Sequence, residues 1–171
     1  DAKLFDGRDI FFFDDAGSSL PSTRNQDTRE KAERPQTAQL RFDALSSEWI
    51  TVASHRQSRA FLPPAHVCPL CPTSKDNLSE LPDLFDVAVF ENKGPAFGPG
   101  VGQIDQPNGQ RFGFATNSFG RCEVVVFSPE HEGSLGAMPV ERIRTVIGAW
   151  MNRTAELQEI DGVMQVFPFE H

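Results

Sequence analysis

The chain has 171 residues, which is enough for one domain with a hydrophobic core. Its 16 basic and 24 acidic residues give a formal net charge of −8, which argues against a nucleic-acid polymer or an anionic membrane as partner but allows a small phosphorylated ligand. Since it shows no apolar run near the roughly 20 residues of a membrane span, no signal-peptide pattern and only three cysteines, we expect a cytoplasmic protein without a disulfide framework.

The chain begins with a predicted strand segment at residues 1–15, which carries the triplet Phe11-Phe12-Phe13. Residues 16–38 are polar, charged and turn-rich with no apolar period, so we predict a flexible, poorly ordered connector. Residues 39–171 are predicted to form one domain. Runs of β-branched and apolar residues predict its first strands, at 48–53, 85–90 and 122–127.

Glycine-rich and periodic segments complete the pattern. Residues 94–102 have the glycines and prolines typical of a loop, and Asn108-Gly109 predicts a hairpin turn. Residues 139–157 predict the one strong helix, with Pro139 at its first position. Residues 163–169 predict a strand at an edge or bulge, because they include a proline. Strands in antiparallel order with one late helix predict an α+β fold. The predicted apolar helix face comprises Val140, Ile143, Val146, Ile147, Trp150, Met151 and Leu157.

Two cysteines, Cys68 and Cys71, carry the first chemical signal. Two thiolates at this spacing can bind one tetrahedral metal ion, whereas a redox pair or two ordinary buried cysteines are the rival interpretations. Further ligands would come from histidine. His66 precedes Cys68 by two residues, and His131 follows a strand and a turn at its end. The four histidines are His55, His66, His131 and His171.

Five motifs follow one another between about Leu40 and Glu170. They are Trp49-Ile50-Thr51-Val52 with His55-Arg56-Gln57-Ser58-Arg59, Cys68-Pro69-Leu70-Cys71, Val89-Phe90-Glu91-Asn92, Arg121 to His131, and Val163 to Glu170 after the helix. This order resembles the N-terminal half of the galactose-1-phosphate uridylyltransferases, a family of the histidine-triad superfamily. The resemblance implies a histidine-triad-like antiparallel sheet with a packed helix. It also implies the N-terminal half of a two-half transferase, incomplete at its C-terminal end.

The resemblance also implies a zinc site. Cys68, Cys71 and His131 match three of the four ligands in the family, and the fourth stays open. Arg56 and Arg59 match an Arg-x-x-Arg pair that meets substrate phosphates, a role suited to guanidinium forks. On the residues alone, the two arginines would be a solvated strand end.

A nucleotide-binding site is implied by the same resemblance. Leu70, Phe90 and Val124 fall where the family packs around the uracil ring, and Asn92 falls where a side chain meets the nucleoside. A base needs apolar faces and a few polar groups that fix its edge. Without the resemblance, Phe90 and Val124 would be core strand residues. Cys122 is interpreted as a small core residue.

The reaction implied is the transfer of UMP between UDP-glucose and galactose-1-phosphate, through a uridylyl-histidine intermediate, by a homodimer. In the family, the catalytic histidine lies in a His-Pro-His-Gly-Gln segment after the strand that ends here at Glu170. These residues do not include that segment, so we assign no catalytic residue. His171 stands where the family usually has asparagine, and it is not assigned a role.

Two alternatives stay open. A related histidine-triad enzyme, an ADP-sugar or dinucleoside polyphosphate phosphorylase, would use the same chemistry with adenine in the base pocket. A noncatalytic zinc-stabilised nucleotide-binding domain would become the favoured interpretation if the chain ended at residue 171.

Overall fold

The computed structural model describes residues 1–30, 38–54, 63–98 and 113–170. These residues have an α+β architecture that divides into two compact units. The larger unit contains residues 1–30, 63–91 and 123–170, and the smaller one contains residues 38–54, 92–98 and 113–122. The strands are β1 (Ala2–Lys3), β2 (Asp9–Phe13), β3 (Gln39–Asp43), β4 (Glu48–Val52), β5 (Val87–Glu91), β6 (Ala115–Asn117) and β7 (Glu123–Val126). The long helix is α1 (Val140–Gln158), and short 3-10 turns lie at Ala65–Val67 and Leu135–Ala137.

An antiparallel sheet in the order β1-β2-β5-β7 forms the frame of the larger unit. A tight turn joins β1 to β2, in which the Leu4 N–H donates to the Arg8 carbonyl at 2.8 Å. Gly7 takes a φ of +87° in this turn, a conformation open to glycine because it has no Cβ. The pairing places Ile10 beside Phe90, and Phe90 beside Val124.

The sheet has a different apolar layer on each face, because successive strand residues point to opposite sides. The first face buries Ile10 and Phe90. The opposite face buries Val87 and Val89 against the helix. Each such side chain contributes about 1.5–3 kcal/mol when it leaves water. The first layer comprises Leu4, Ile10, Leu81, Phe85, Ala88 and Phe90, with Phe12, Val124 and Val126 packed against it.

Helix α1 confirms the predicted element and part of its predicted face, since Val146 and Leu157 are buried and Trp150 packs against the apolar layer of the sheet. Pro139 precedes the helix with an extended ψ of 149°, so it is the N-cap residue rather than the first helical residue as predicted. The predicted face included Ile147 and Met151, which are exposed. Ala149 and Arg153 are buried as well, although the prediction did not include them, because a small residue and a charged one add little to an apolar period. The buried residues of the helix are Val146, Ala149, Arg153 and Leu157.

In the smaller unit, β3 pairs with β4 on one side and with β6 on the other. The strand β4 was predicted, whereas β3 was not, since Gln39–Asp43 contains polar residues of low strand propensity. The Phe42 ring stacks on Phe114 with centroids 5.0 Å apart, and Trp49 meets both rings edge-on. Pairing on both sides and this aromatic packing therefore outweigh the local preference of β3.

Two further segments, residues 163–170 and 16–30, contain no regular secondary structure. Residues 163–170 are not a strand, and Met164 is 98% exposed, because none of the strands in the described ranges pairs with them. Residues 16–30 contain no helix or strand, yet the Asn25 N–H donates to Asp83 Oδ2 at 2.7 Å.

The predicted turn at Asn108-Gly109 lies outside the described residues. In the part of the chain that the structure describes, no helix is long and apolar enough to cross a membrane.

Candidate metal centre

The two cysteines of the Cys-x-x-Cys motif lie in a loop whose backbone is fixed at several points. The Glu80 N–H donates to the Pro69 carbonyl at 2.9 Å, and the Asn77 amide donates to the Cys68 carbonyl at 2.8 Å. The Leu70 N–H donates to Cys68 Sγ at 3.4 Å. We call residues 68–81 the cysteine loop.

The fold brings His131 to this loop. His131 follows β7 after a turn in which the Glu130 N–H donates to Ser128 Oγ at 3.0 Å. Its ring nitrogen Nδ1 lies 3.4 Å from Cys71 Sγ, although 60 positions separate the two residues. One ligand atom each from Cys68, Cys71 and His131 lie within 4.8 Å of one another.

The donor set and its spacing fit zinc. With Zn–S near 2.3 Å and Zn–N near 2.0–2.1 Å, tetrahedral coordination places a sulfur and a nitrogen ligand roughly 3.6 Å apart. The distance of 3.4 Å between Cys71 Sγ and His131 Nδ1 is close to that value. The sequence-based prediction of these three residues as a ligand set therefore has a geometric basis in the fold.

The surroundings of Cys71 disfavour its charged form. Burial, together with a hydrogen bond and repulsion from Cys68, raises the pKa of the Cys71 thiol above its usual value. The thiolate form of Cys71 is therefore disfavoured in the absence of a nearby positive charge. A divalent metal removes that cost, because it binds the thiolates and releases their protons.

A cleft of about 190 Å³ opens beside the three candidate ligands. It is lined by the cysteine loop, by Val125 and Val126 of β7 and by the segment that follows β7 as far as Met138. Leu70 also lines this cleft and is 38% exposed. Of the predicted base-binding residues, Leu70 is thus the one that the fold places beside the candidate metal ligands.

The other predicted site residues lie elsewhere. Phe90 and Val124 are neighbours on adjacent strands, but Phe90 is only 3% exposed and packs in the first apolar layer. Asn92 belongs to the smaller unit, where its Oδ1 accepts the Gly94 N–H at 3.0 Å. Contacts of these residues with a base stay predictions. Arg56 and Arg59 lie outside the described residues.

A buried ionic cluster adjoins the cysteine loop and was not predicted. Arg8 is fully buried, and its guanidinium donates to Asp6 Oδ2 at 2.7 Å, to the Glu91 carbonyl at 2.8 Å and to the Glu80 carboxylate. Arg29 also pairs with Glu80, at 3.0 Å. Although burial raises it, hydrogen bonds from Arg29 and Arg8 hold the pKa of Glu80 below its usual range. No local motif signals this cluster, because Arg8 and Glu80 are 72 positions apart.

Comparison with known families gives one match over most of the chain. Residues 26–171 match the family described as galactose-1-phosphate uridyl transferase, N-terminal domain.

Several curated relatives carry the name galactose-1-phosphate uridylyltransferase, and three of them illustrate the similarity. The Streptomyces lividans protein is 32% identical over 170 residues, which cover 99% of this chain and 42% of the relative. The Thermotoga maritima protein is 32% identical over 133 residues, with 78% of this chain and 40% of the relative covered. The Rattus norvegicus protein is 30% identical over 144 residues, covering 75% and 37%. The chain thus spans less than half the length of these relatives.

A solved structure titled "Structure of uridylyltransferase" aligns with 71% of this chain and 36% of its own length, at 22% identity and a TM-score of 0.48. The family match does not depend on this likeness.

Proposed function

The chain belongs to the galactose-1-phosphate uridyl transferase N-terminal domain family, and we propose that its protein transfers UMP between UDP-glucose and galactose-1-phosphate. In this proposal, the chain supplies the N-terminal half of a two-half transferase with a histidine-triad-like fold. The observation that carries it is the convergence of Cys68, Cys71 and His131 within the region that matches the family. The names of the relatives support the same reaction.

Zinc is the proposed metal, held by Cys68, Cys71, His131 and a fourth ligand. Sites with four protein ligands are normally structural, since no coordination position is open to substrate. The metal would join the cysteine loop to the segment after β7, and Leu70 lies on that loop. In this proposal zinc has a structural role at the site, and other groups carry out the reaction.

The substrate roles follow the family pattern. Arg56 and Arg59 hold the phosphates, because planar guanidinium groups match phosphate oxygens. Leu70, Phe90 and Val124 pack around the uracil ring, and Asn92 contacts the nucleoside. These four residues, three apolar and one polar, together with the two arginines suit a uridine nucleotide rather than an unmodified sugar.

The transfer is proposed to run in two steps through a histidine of the family's His-Pro-His-Gly-Gln segment. That histidine attacks the α-phosphorus of UDP-glucose and glucose-1-phosphate leaves. Galactose-1-phosphate then attacks the uridylyl-histidine, forms UDP-galactose and frees the histidine. A covalent intermediate divides one difficult displacement into two easier ones.

Isotope exchange tests the proposal directly. The full-length protein is incubated with UDP-glucose and labelled glucose-1-phosphate, without galactose-1-phosphate. We expect label to enter UDP-glucose, because the first step is reversible and needs no acceptor sugar. Addition of galactose-1-phosphate should then yield UDP-galactose.

The alternatives give different results in the same experiment. Turnover of ADP-glucose with inorganic phosphate, and none of UDP-glucose, would indicate the phosphorylase. Binding of UDP-glucose without any exchange would indicate a noncatalytic nucleotide-binding domain. Arg56→Met should reduce exchange strongly, whereas Cys122→Ser, outside the metal cluster, should leave it unchanged.

A homodimer in the cytoplasm is the proposed state of the protein. The three cysteines are free thiols, which agrees with a reducing compartment. Light scattering of the purified full-length protein measures the oligomeric state, and a monomer would contradict this part of the proposal.

A further inference from the structure

Arg8 links three segments of the larger unit. Its guanidinium bonds to Asp6 beside it in the N-terminal turn, to the Glu91 carbonyl at the end of β5 and to Glu80 in the cysteine loop. The same guanidinium lies 6.0 Å from the centroid of the Phe90 ring. Its side chain has no accessible surface, so these contacts form within the protein interior.

Glu80 connects Arg8 to the loop that carries the candidate metal ligands. The Glu80 backbone N–H donates to the carbonyl of Pro69, the residue directly after Cys68. A short path therefore runs from the Glu91 carbonyl through Arg8 and Glu80 to the backbone between the two cysteines. One end of this path is the candidate base-binding strand, and the other is the candidate metal loop.

We propose that Arg8 is a positioning residue that holds the cysteine loop against the end of β5, and so sets the geometry of the zinc site and of the adjoining nucleotide pocket. The part that concerns the nucleotide rests on the proposed function. The part that concerns the metal rests on the contacts of the loop alone.

The chemistry of arginine suits this role. A planar guanidinium presents five donors in a fixed fork, so it can satisfy two carboxylates and a carbonyl in three directions. A lysine at the same position would keep the charge but lose the fork. Groups that hydrogen-bond to metal ligands change metal affinity or activity by about 10–100-fold when mutated, and Arg8 acts one step further out, through Glu80 and the Pro69 carbonyl.

A second buried arginine provides a matched control. Arg153 of α1 bonds to both oxygens of Glu123, at 2.9 and 3.0 Å, and lies 3.8 Å from the Phe11 ring. Phe11 packs on the helix side of the sheet, whereas Phe90 packs on the other side. Both arginines are buried and form carboxylate and ring contacts, but only Arg8 bonds to the cysteine loop.

The experiment uses the zinc-loaded full-length protein and compares Arg8→Met, Arg8→Lys and Arg153→Met. The first readout is the rate of zinc transfer to a chromogenic chelator, measured below the unfolding temperature of each variant. We expect Arg8→Met to release zinc about tenfold faster than wild type or more, Arg8→Lys to fall between the two, and Arg153→Met to stay within about twofold. If Arg8→Met and Arg153→Met lower the unfolding temperature by the same amount and also release zinc at the same rate, the proposal is overturned.

The second readout is kinetic. Arg8→Met should raise the KM for UDP-glucose more than it lowers kcat, since the residue shapes the pocket and does not touch the reacting atoms. A fall in kcat at unchanged KM would overturn the positioning role at the nucleotide pocket. If wild type itself transfers no UMP, the proposed function fails, while the zinc-release comparison still decides the role of Arg8.

If Arg8→Met does not fold, Glu80→Gln breaks the same path from the loop side, together with the Arg29–Glu80 pair. Faster zinc release in Glu80→Gln and in Arg8→Lys than in Arg153→Met would support the proposal. Unchanged release in both would overturn it.

Discussion

Cys68 and Cys122 have the same side chain in different surroundings. Cys68 is buried, accepts an N–H from Leu70 and lies in the cluster with Cys71 and His131. Cys122 lies in the smaller unit and outside that cluster. Among the residues that the structure describes, Cys68 therefore has partners that could share a metal, and Cys122 has none.

Replacement of these cysteines separates a metal ligand from a packing residue. We expect Cys68→Ser to lose bound zinc and to lower the free energy of unfolding by more than about 2 kcal/mol, since metal binding is coupled to folding. Cys122→Ser should keep its zinc and change stability by less than about 1 kcal/mol. Elemental analysis and urea unfolding measure both effects. Full zinc content with lost turnover in Cys68→Ser would contradict a structural role.

The buried carboxylate of Glu80 predicts a pH dependence. Its pKa in the folded protein is held below the usual 4.5, so its ion pairs stabilise the fold above that pH and lose this contribution as the pH falls below it. We expect Glu80→Gln to cost about 1–3 kcal/mol at neutral pH, and the difference from wild type to shrink in acid. Urea unfolding at neutral pH and at several values below 4.5 measures this. The exposed Glu30→Gln is the control, and a difference independent of pH would contradict the prediction.

At the scale of the element, α1 shows how a helix divides its residues between the sheet and solvent. Val146 and Ala149 contact the apolar layer of Val87 and Val89. Gly148 lies between them in sequence but faces solvent, and a methyl group added there would meet no atom of the described residues within 4 Å. Gly148 thus lowers the stability of the helix, and no contact among the described residues requires a glycine at this position.

We predict that Gly148→Ala stabilises the protein by roughly 0.8–1.0 kcal/mol, the difference in helix propensity between the two residues. Gly120→Ala should have the opposite effect, because Gly120 has a φ of +149° and an added Cβ would lie 2.9 Å from the Cβ of Phe97. Thermal unfolding of the two variants measures both signs. A destabilised Gly148→Ala would mean that this position of the helix is covered in the full-length protein.

At the scale of the whole molecule, the N-terminal segment is part of the sheet. The family match begins at residue 26, yet β2 lies between β1 and β5 in the larger unit. Ile10 of β2 is fully buried, as is Arg8 just before it. The first 25 residues therefore provide structure that the matched region needs for its own core.

Truncation tests this dependence. Deletion of residues 1–25 should abolish cooperative unfolding and expose the protein to protease, because it removes an interior strand and Arg8, one of the two arginines that pair with Glu80. Deletion of residues 1–3 removes only the short outer strand β1 and should leave a folded protein. Circular dichroism and limited proteolysis distinguish the two. A stable fold after the longer deletion would contradict the prediction.

Local patterns determined the parts of the protein that depend on neighbours in sequence. The apolar period of residues 139–157 located α1, and the run at 122–127 located β7. The spacing of Cys68 and Cys71 indicated a metal site, and the order of the motifs indicated the family. These features depend on backbone preference and short-range spacing, which a sequence displays directly.

Only the tertiary structure decided which distant residues meet. Cys71 and His131 come together across 60 positions, an approach that the resemblance implied and the fold supplies. Arg8 and Glu80 meet across 72 positions, and nothing in either residue distinguishes it from a solvated charge. The helix likewise buries Arg153 rather than Met151. Which of these residues become paired or buried is determined when strands pair and side chains exclude water. The energy of an ion pair or an apolar contact depends on partners that the local sequence does not contain.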